Sequence, residues 1–339
     1  MIKKISNPNS TINNRQSSVP EVICLGEFLV DLVPTPAGSP LAQADSLKMA
    51  PGGAPANVAV ALERLGIHTG FVGKVGNDPF GRYLYSVLEK EGLDLRFLSL
   101  SRQSLTRLAF VTNDQDEKQR FLFYGNPGAD VLLTPSEIDK KYFRKAKIFH
   151  FGSISLIEGP ARKATFKALS LARKLGLTVS FDPNLRPSLW PSLKQASKII
   201  LENLHWCDIL KINEMEWEFL FPGKKFEALP AILKKHDIRL GAITLGSEGA
   251  YVGTVKNFVR VNGIKVDFVD STGAGDGFVA GLIHSWLNAG GKSNDWDNDR
   301  LAAIAEFCNR IGAITCTKAG AIPALPTLED LNMVTRPPQ

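Results

Sequence analysis

The stretch Asp270–Leu282, DSTGAGDGFVAGL, sets three small residues, Gly273, Ala274 and Gly275, and a carboxylate, Asp276, directly before an apolar run. Phe278, Leu282 and Trp286 recur there at helical spacing, with Val279 and Ile283 beside them, so the run reads as a helix. Strand-like VDFVD, residues 266–270, precedes it. The small residues thus fall at a strand-to-helix junction. A helix N-terminus presents free N–H groups and the positive end of the helix dipole, and small side chains let an anion reach them. Asp276, in the first turn, would repel that anion unless it had a task. Taking a proton from an attacking hydroxyl is such a task. Donors for a phosphate and a base for a hydroxyl are what phosphoryl transfer to an alcohol needs. Taken alone, the motif fits an acidic residue that merely complements the dipole equally well.

A second Gly-rich junction, APGGAPANVAVALERLG (50–66), strengthens the first reading. Gly52 and Gly53 precede a helix marked by Val58, Ala61, Leu62 and Leu65 and stopped by Gly66. Asn57 could cap that helix. Alternatively, the two glycines let a polyhydroxy substrate lie against the backbone, with Asn57 donating to and accepting from its hydroxyls. Asp31, in GEFLVDLVP, comes just after the first strand and could accept hydrogen bonds from the same substrate. Neither junction is a Walker A loop, since GxxxxGK[ST] occurs nowhere. GAGDGF fails the dinucleotide fingerprint GxGxxG because Phe278 stands where the third glycine belongs, which disfavours a nicotinamide-dependent oxidoreductase.

Strand-like and helical runs alternate along most of the chain. FVGKVG, KIFHFGS, TVSFDPN, DILKIN and GAITLG read as strands. DPFGRYLYSVLEKEG, with Asp78 as N-cap and Pro79 first in the helix, PARKATFKALSLARKLG and EMEWEFLF read as helices. Such alternation predicts an α/β fold with a parallel sheet covered on both faces. Residues 28–50 and about 104–126 break it: they read as strands with no helix between, the second as a hairpin, and predict a small β lid. Residues 1–20 are polar and Asn/Ser-rich and read as a disordered tail, which leaves 21–335 as one domain.

Composition excludes several classes. The 339 residues are 44% apolar and 22% charged, ordinary for a globular protein. No apolar run is long enough to span a bilayer, and no secretory signal pattern opens the chain, so a cytoplasmic location without a membrane partner is expected. The net charge of +6 is scattered, with no aromatic-interleaved basic stripe, which argues against nucleic acid. The four cysteines show no zinc spacing, and the five histidines no catalytic motif.

Together the two glycine motifs resemble the ribokinase-like sugar kinases of the phosphofructokinase-B type. Gly52, Gly53, Asn57, Gly66 and Gly76 match the first family signature, and Asp270 through Ile283 the second. The resemblance runs from about Val22 to about Leu331. Within the family, GEFLVDLVP, PGGAPANVA, FYGNPGAD, FDPNLRPSLW, NEMEWEFL and GAIPALPT are most similar to fructokinases. The resemblance implies a three-layer α/β/α body with a β lid, and ATP-dependent phosphorylation of a primary hydroxyl, with D-fructose to D-fructose 6-phosphate as the leading case. It implies Asp276 as base and Gly273, Ala274 and Gly275 as anion hole. Asp31, Gly52, Gly53 and Asn57 would hold the sugar, and Arg186 could serve an acid or stabilise its loop. Asn213 and Glu216 match an NxxE pattern that helps hold Mg²⁺ through water; the plain alternative for Glu216 is a solvated helix carboxylate. Thr244, Gly246, Gly249 and Asn309 would belong to the nucleotide site, unless Asn309 is ordinary helix surface. Asp270, Thr272 and Gly320 fall where many relatives bind K⁺, and relatives often pair through their lids as homodimers.

One departure bears on the substrate. Fructokinases commonly show Arg in FYRNPSAD, and this chain has Gly125 and Gly128 there. In kinases of 2-keto-3-deoxygluconate, an Arg at that place holds the substrate carboxylate, so its loss weakens the sugar-acid alternative. Arg107 is a candidate replacement for the missing charge. Ribokinase and nucleoside kinase are further alternatives. An inactive, kinase-like structural partner is a remote one, disfavoured by the intact Asp276 and GAG.

Overall fold

A computed structural model describes residues 19–35, 39–113, 119–125, 127–291 and 296–333. Most of the expected tail, residues 1–18, lies outside the described residues, as does the tip of the expected hairpin, 114–118. The strands are β1 (Val22–Leu25), β2 (Leu29–Thr35), β3 (Ser46–Gly52), β4 (Thr69–Gly76), β5 (Asp94–Ser101), β6 (Leu108–Asn113), β7 (Gln119–Tyr124), β8 (Ile148–Gly152), β9 (Thr178–Asp182), β10 (Ile209–Asn213), β11 (Leu240–Thr244), β12 (Ala250–Gly253) and β13 (Phe258–Val261). The helices are α1 (Ala54–Arg64), α2 (Pro79–Lys90), α3 (Lys140–Phe143), α4 (Gly159–Leu175), α5 (Leu193–Asn203), α6 (Glu214–Leu220), α7 (Leu229–His236), α8 (Ala274–Asn288), α9 (Asn298–Thr315), α10 (Ala321–Ala324) and α11 (Leu328–Met333).

Nine strands form one sheet in the order β13-β12-β11-β10-β9-β8-β1-β4-β5. It is parallel from β11 to β5, with β12 and β13 antiparallel at one edge. An interior strand, β1, explains the layering. Val22, Ile23, Cys24 and Leu25 are all fully buried, so β1 is apolar on both faces. Val22 and Cys24 pack into one core with residues of α1, α2, α8 and α9. Ile23 and Leu25 point the other way, into a core shared with α4, α5, α6 and α7. The result is an α/β body of three layers.

Local signals set several boundaries. Asp78 Oδ1 accepts the Gly81 N–H at 2.8 Å and caps α2, with Pro79 in its first turn. Gly176, at φ 73°, ends α4 in the left-handed conformation. The segments that broke the alternation supply the second sheet, ordered β3-β2-β6-β7. In it β2 pairs antiparallel with β3 and parallel with β6, and β6 pairs antiparallel with β7.

Two expectations need correction. VDFVD is not a strand: Phe268 and Val269 are exposed, and no residue from 262 to 271 is in an element. The sheet ends at β13, and the Val269 and Asp270 N–H groups both reach the Cys316 carbonyl at the end of α9 instead. Asp31 does follow β1 in the chain, but it does not stand at that strand's end: it lies inside β2 of the small sheet. Among the described residues, no helix is long and apolar enough to cross a membrane.

Candidate active site

Gly273, at φ 85°, is the N-cap of α8, and a Cβ there would lie 2.7 Å from the Ala321 Cβ. Only glycine can make this turn. The Ala274 N–H turns back to the Ser271 carbonyl at 3.1 Å, which leaves the Gly275 and Asp276 N–H groups as donors of the first turn. Asp276 is 6% exposed. Its Oδ2 accepts the Asn57 Nδ2–H at 2.7 Å, and its Oδ1 accepts from Asn184 Nδ2 at 3.3 Å. Burial raises the Asp276 pKa to about 6; the Asn57 hydrogen bond opposes the rise, Asp182 adds to it, and Lys211 and Arg186 oppose it.

The structure brings the expected sugar residues to the same place. Asn57 does not cap α1, because Gly53 is the N-cap; one turn in, it faces Asp276. Its Oδ1 is buried without a hydrogen-bond partner, as is Glu27 Oε2. Such atoms are costly to leave unmet and mark where a polar ligand can be satisfied. Gly52 is forced by Asp31: a Cβ at 52 would lie 2.1 Å from Asp31 Oδ2. Gly53, at φ 120°, would meet the Glu27 carbonyl oxygen at 2.5 Å. Burial raises Asp31 to about 7, with Arg186 opposing and Asp270 and Asp276 reinforcing. Arg186 lies over the Phe121 ring of β7 at 5.0 Å, so it joins the site loop to the small sheet.

Asn213 and Glu216 form a capping box that starts α6. Asn213 Oδ1 accepts the Glu216 N–H at 2.8 Å, and Glu216 Oε2 accepts the Asn213 N–H at 2.9 Å. Glu216 Oε1 also accepts the Leu185 N–H at 2.7 Å, which ties the β9 loop to α6. Glu216 is therefore a buried carboxylate and not a solvated one. Burial raises its pKa, Asp182 adds to the rise and Lys211 opposes it. With both oxygens committed to backbone donors, Glu216 suits a cation held through water better than a direct ligand. Among the described residues, no group of three or more His, Cys, Asp or Glu could hold a metal ion.

Asp270, Thr272 and Gly320 converge as well. Asp270 Oδ1 accepts from the Thr272 N–H at 2.9 Å and its hydroxyl at 2.6 Å, and Oδ2 accepts the Gly320 N–H at 2.8 Å. Farther along the sheet, Thr244 ends β11, and Gly246 and Gly249 bound the turn into β12. A Cβ at Gly249 would lie 2.0 Å from the Val261 carbonyl oxygen. Asn309 Nδ2 donates to the neighbouring Asn262 carbonyl at 3.1 Å, so Asn309 is a buried tether of this segment and not helix surface. Arg107 Nε donates to Asp130 Oδ1 at 3.0 Å, both side chains being buried, so its charge is already balanced.

Sequence reasoning missed Lys211, Asp182, Asn184 and Glu27. Lys211 Nζ lies 3.1 Å from Asp182 Oδ2. Asn184 takes a left-handed φ of 42° while its N–H bonds Asp182 Oδ1 at 3.1 Å. The signal for Lys211 was present: a lysine inside the otherwise apolar strand DILKIN has to be paired.

The signature described as pfkB family carbohydrate kinase matches residues 19–328. Fructokinase-2 of Solanum lycopersicum is 43% identical over 318 residues, covering 94% of this chain and 96% of its own. Two solved structures of fructokinase from Vibrio cholerae O395 align with a TM-score of 0.81 at 34% identity. They cover 94% of this chain and 100% and 99% of theirs. One, a double mutant, holds fructose, ADP and potassium ion; the other holds fructose, ADP and calcium ion.

Proposed function

Because this chain belongs to the pfkB family of carbohydrate kinases, we propose that it transfers the γ-phosphoryl group of ATP to a primary hydroxyl of D-fructose, giving D-fructose 6-phosphate. The observation that carries this reading is the Asp276 carboxylate at the N-terminus of α8, bonded to Asn57 of the other glycine junction. It supports a reading in which a base, an anion cradle and a polyhydroxy-binding surface share one site.

In this reading the sugar hydroxyls meet Asp31, Asn57 and the backbone at Gly52 and Gly53. The orphaned Asn57 Oδ1 gains a donor, and Asp31 gains hydroxyl partners. The reacting hydroxyl gives its proton to Asp276 as its oxygen bonds the γ-phosphorus, and the bond to the ADP oxygen breaks. The Gly275 and Asp276 N–H groups receive the transferring oxygens, with Gly273 and Ala274 shaping the turn. Thr244, Gly246, Gly249 and Asn309 border the nucleotide. Glu216, beside Asn213, would hold Mg²⁺ through water, and the ion would supply charge neutralisation for the phosphates. Asp270, Thr272 and Gly320 would anchor K⁺. Arg186, stacked on Phe121, links sugar binding to closure of the small sheet as a lid, which excludes water. Arg107, neutralised by Asp130, supplies no free charge for a sugar acid.

The remaining assignments follow. Residues 21–335 act as one kinase domain in the cytoplasm, preceded by a tail over 1–20, with the lid formed by about 28–50 and 104–126. The outer face of the lid carries Leu47, Met49, Leu122 and Tyr124, all exposed, and supports a homodimer. Fructose-dependent ADP release from Mg²⁺-ATP tests the reading. Strong turnover with fructose is expected. Turnover with 2-keto-3-deoxygluconate, ribose or a nucleoside in its place would move the substrate, and silence with every sugar would overturn the kinase assignment.

A further inference from the structure

We propose that Lys211 is a positioning residue for phosphoryl transfer: its ammonium, held against Asp182 beneath Gly275, is the fixed positive charge against which the transferring phosphate and the Asp276 carboxylate are set. The proposal rests on the kinase reading above.

Lys211 lies in β10 between Leu210 and Ile212, which are fully or almost fully buried, and is itself 5% exposed. An ammonium so placed is costly, and a packed apolar pair would serve the fold as well as an ion pair does. Its position gives the reason for keeping it. Nζ lies 3.0 Å from where a Cβ on Gly275 would stand, so the missing side chain makes room for the ammonium under the first turn of α8. There it adds to the positive end of that helix.

The surroundings are otherwise acidic. Asp182 from β9, Glu216 from α6 and Asp276 from α8 all act on Lys211 and together raise its pKa against the opposing effect of burial. His150 from β8, bonded to Ser180, is kept neutral by burial and by Lys211 itself. A phosphate arriving at the Gly275 and Asp276 N–H groups therefore enters a cluster of three carboxylates. Arg186, the other cation acting on Asp276, sits on a half-buried loop stacked against the small sheet. Lys211 is carried by the central sheet. It offsets the repulsion and keeps Asp276 ionised, while its own protons stay in place: the hydroxyl proton passes to Asp276 as the new oxygen–phosphorus bond forms and the bond to ADP breaks.

The test compares Lys211→Met, Lys211→Gln and Lys211→Arg with the unaltered protein, with kcat, fructose KM and kcat/KM followed from pH 5 to 9. Both neutral variants are expected to lose at least tenfold in kcat with fructose KM changed less than threefold. Their acid limb of kcat/KM should move to higher pH, and Lys211→Arg should return the limb towards its original place. A folded neutral variant with unchanged kcat and acid limb overturns the proposal. So does failure of both neutral variants to fold while Lys211→Arg is folded and active, since that assigns Lys211 to the fold. Absence of turnover in the unaltered protein refutes the kinase reading itself, and is told apart because it precedes any substitution.

Discussion

Asn57 and Asp276 stand 219 positions apart in the chain, yet the Asn57 amide donates to the Asp276 carboxylate at 2.7 Å. The bond joins the first turns of two helices on the same face of the sheet, each launched from a glycine junction. The hydrogen bond favours the ionised carboxylate that a base must offer, while burial works against it.

Asp276→Asn removes the proposed proton acceptor and keeps the shape. A loss of about 10²–10⁴ in kcat is expected, the range typical of a general base, with ATP affinity within a few-fold. Single-turnover kinetics with calorimetric ATP binding check it; near-normal kcat would remove Asp276 from the role of base.

Asn57→Ala deletes the proposed contact to the sugar and a donor to Asp276. Loss of a hydrogen bond to a charged group, about 1.5–3 kcal/mol, should raise fructose KM by about tenfold or more. ATP KM should change far less. Equal changes in both constants would contradict the sugar-side placement.

Activity should fall as pH drops through about 6, where Asp276 takes up a proton. Stability runs the other way. Asp31, near 7, and Asp276, near 6, hold protons more tightly folded than unfolded, so their contribution is fully present below about pH 4 and is lost as pH rises through 6–7. Asp31→Asn should therefore raise the Tm of the ligand-free protein at pH 8 more than at pH 5, while weakening fructose binding. A larger gain at pH 5 would reverse the sign of this argument.

Asp130→Ala strands the buried Arg107 charge. A loss of about 3–5 kcal/mol is expected in urea unfolding. Asp130→Ala combined with Arg107→Met should recover part of it. A double variant less stable than the single one would mean the pair is not coupled as drawn.

The alternation of apolar runs made the layered sheet legible, and the paired glycine junctions marked Asp276, the turn at 273–275 and Asn57, which the structure brings together, because each depends on local spacing. Asp31 falls in the segment read as a lid strand, but the pairing of β2 with β3 and β6 that aims its carboxylate at the site is tertiary and is not encoded in spacing. Glu216 was expected near a cation, but its burial and its bond to Leu185 N–H depend on the β9 loop folding over α6. VDFVD carried every local mark of a strand and lacks only a neighbour to pair with. Lys211 showed in the sequence as a charge needing a partner, but nothing there showed that the partner would be Asp182 of the neighbouring strand β9.

The turn after β7 bears on what this protein can become. Gly125 holds φ at 79°, and a Cβ at Gly128 would stand 2.5 Å from Asp130 Oδ1. An arginine at 125 would have to adopt a left-handed backbone, and any side chain at 128 would push into the partner of Arg107. Neither position can be changed alone without a penalty in stability. An arginine at 125 therefore carries the backbone cost of that turn, and a side chain at 128 has to displace Asp130 or Arg107. Both costs fall on the fold of the turn itself, before any effect on the substrate.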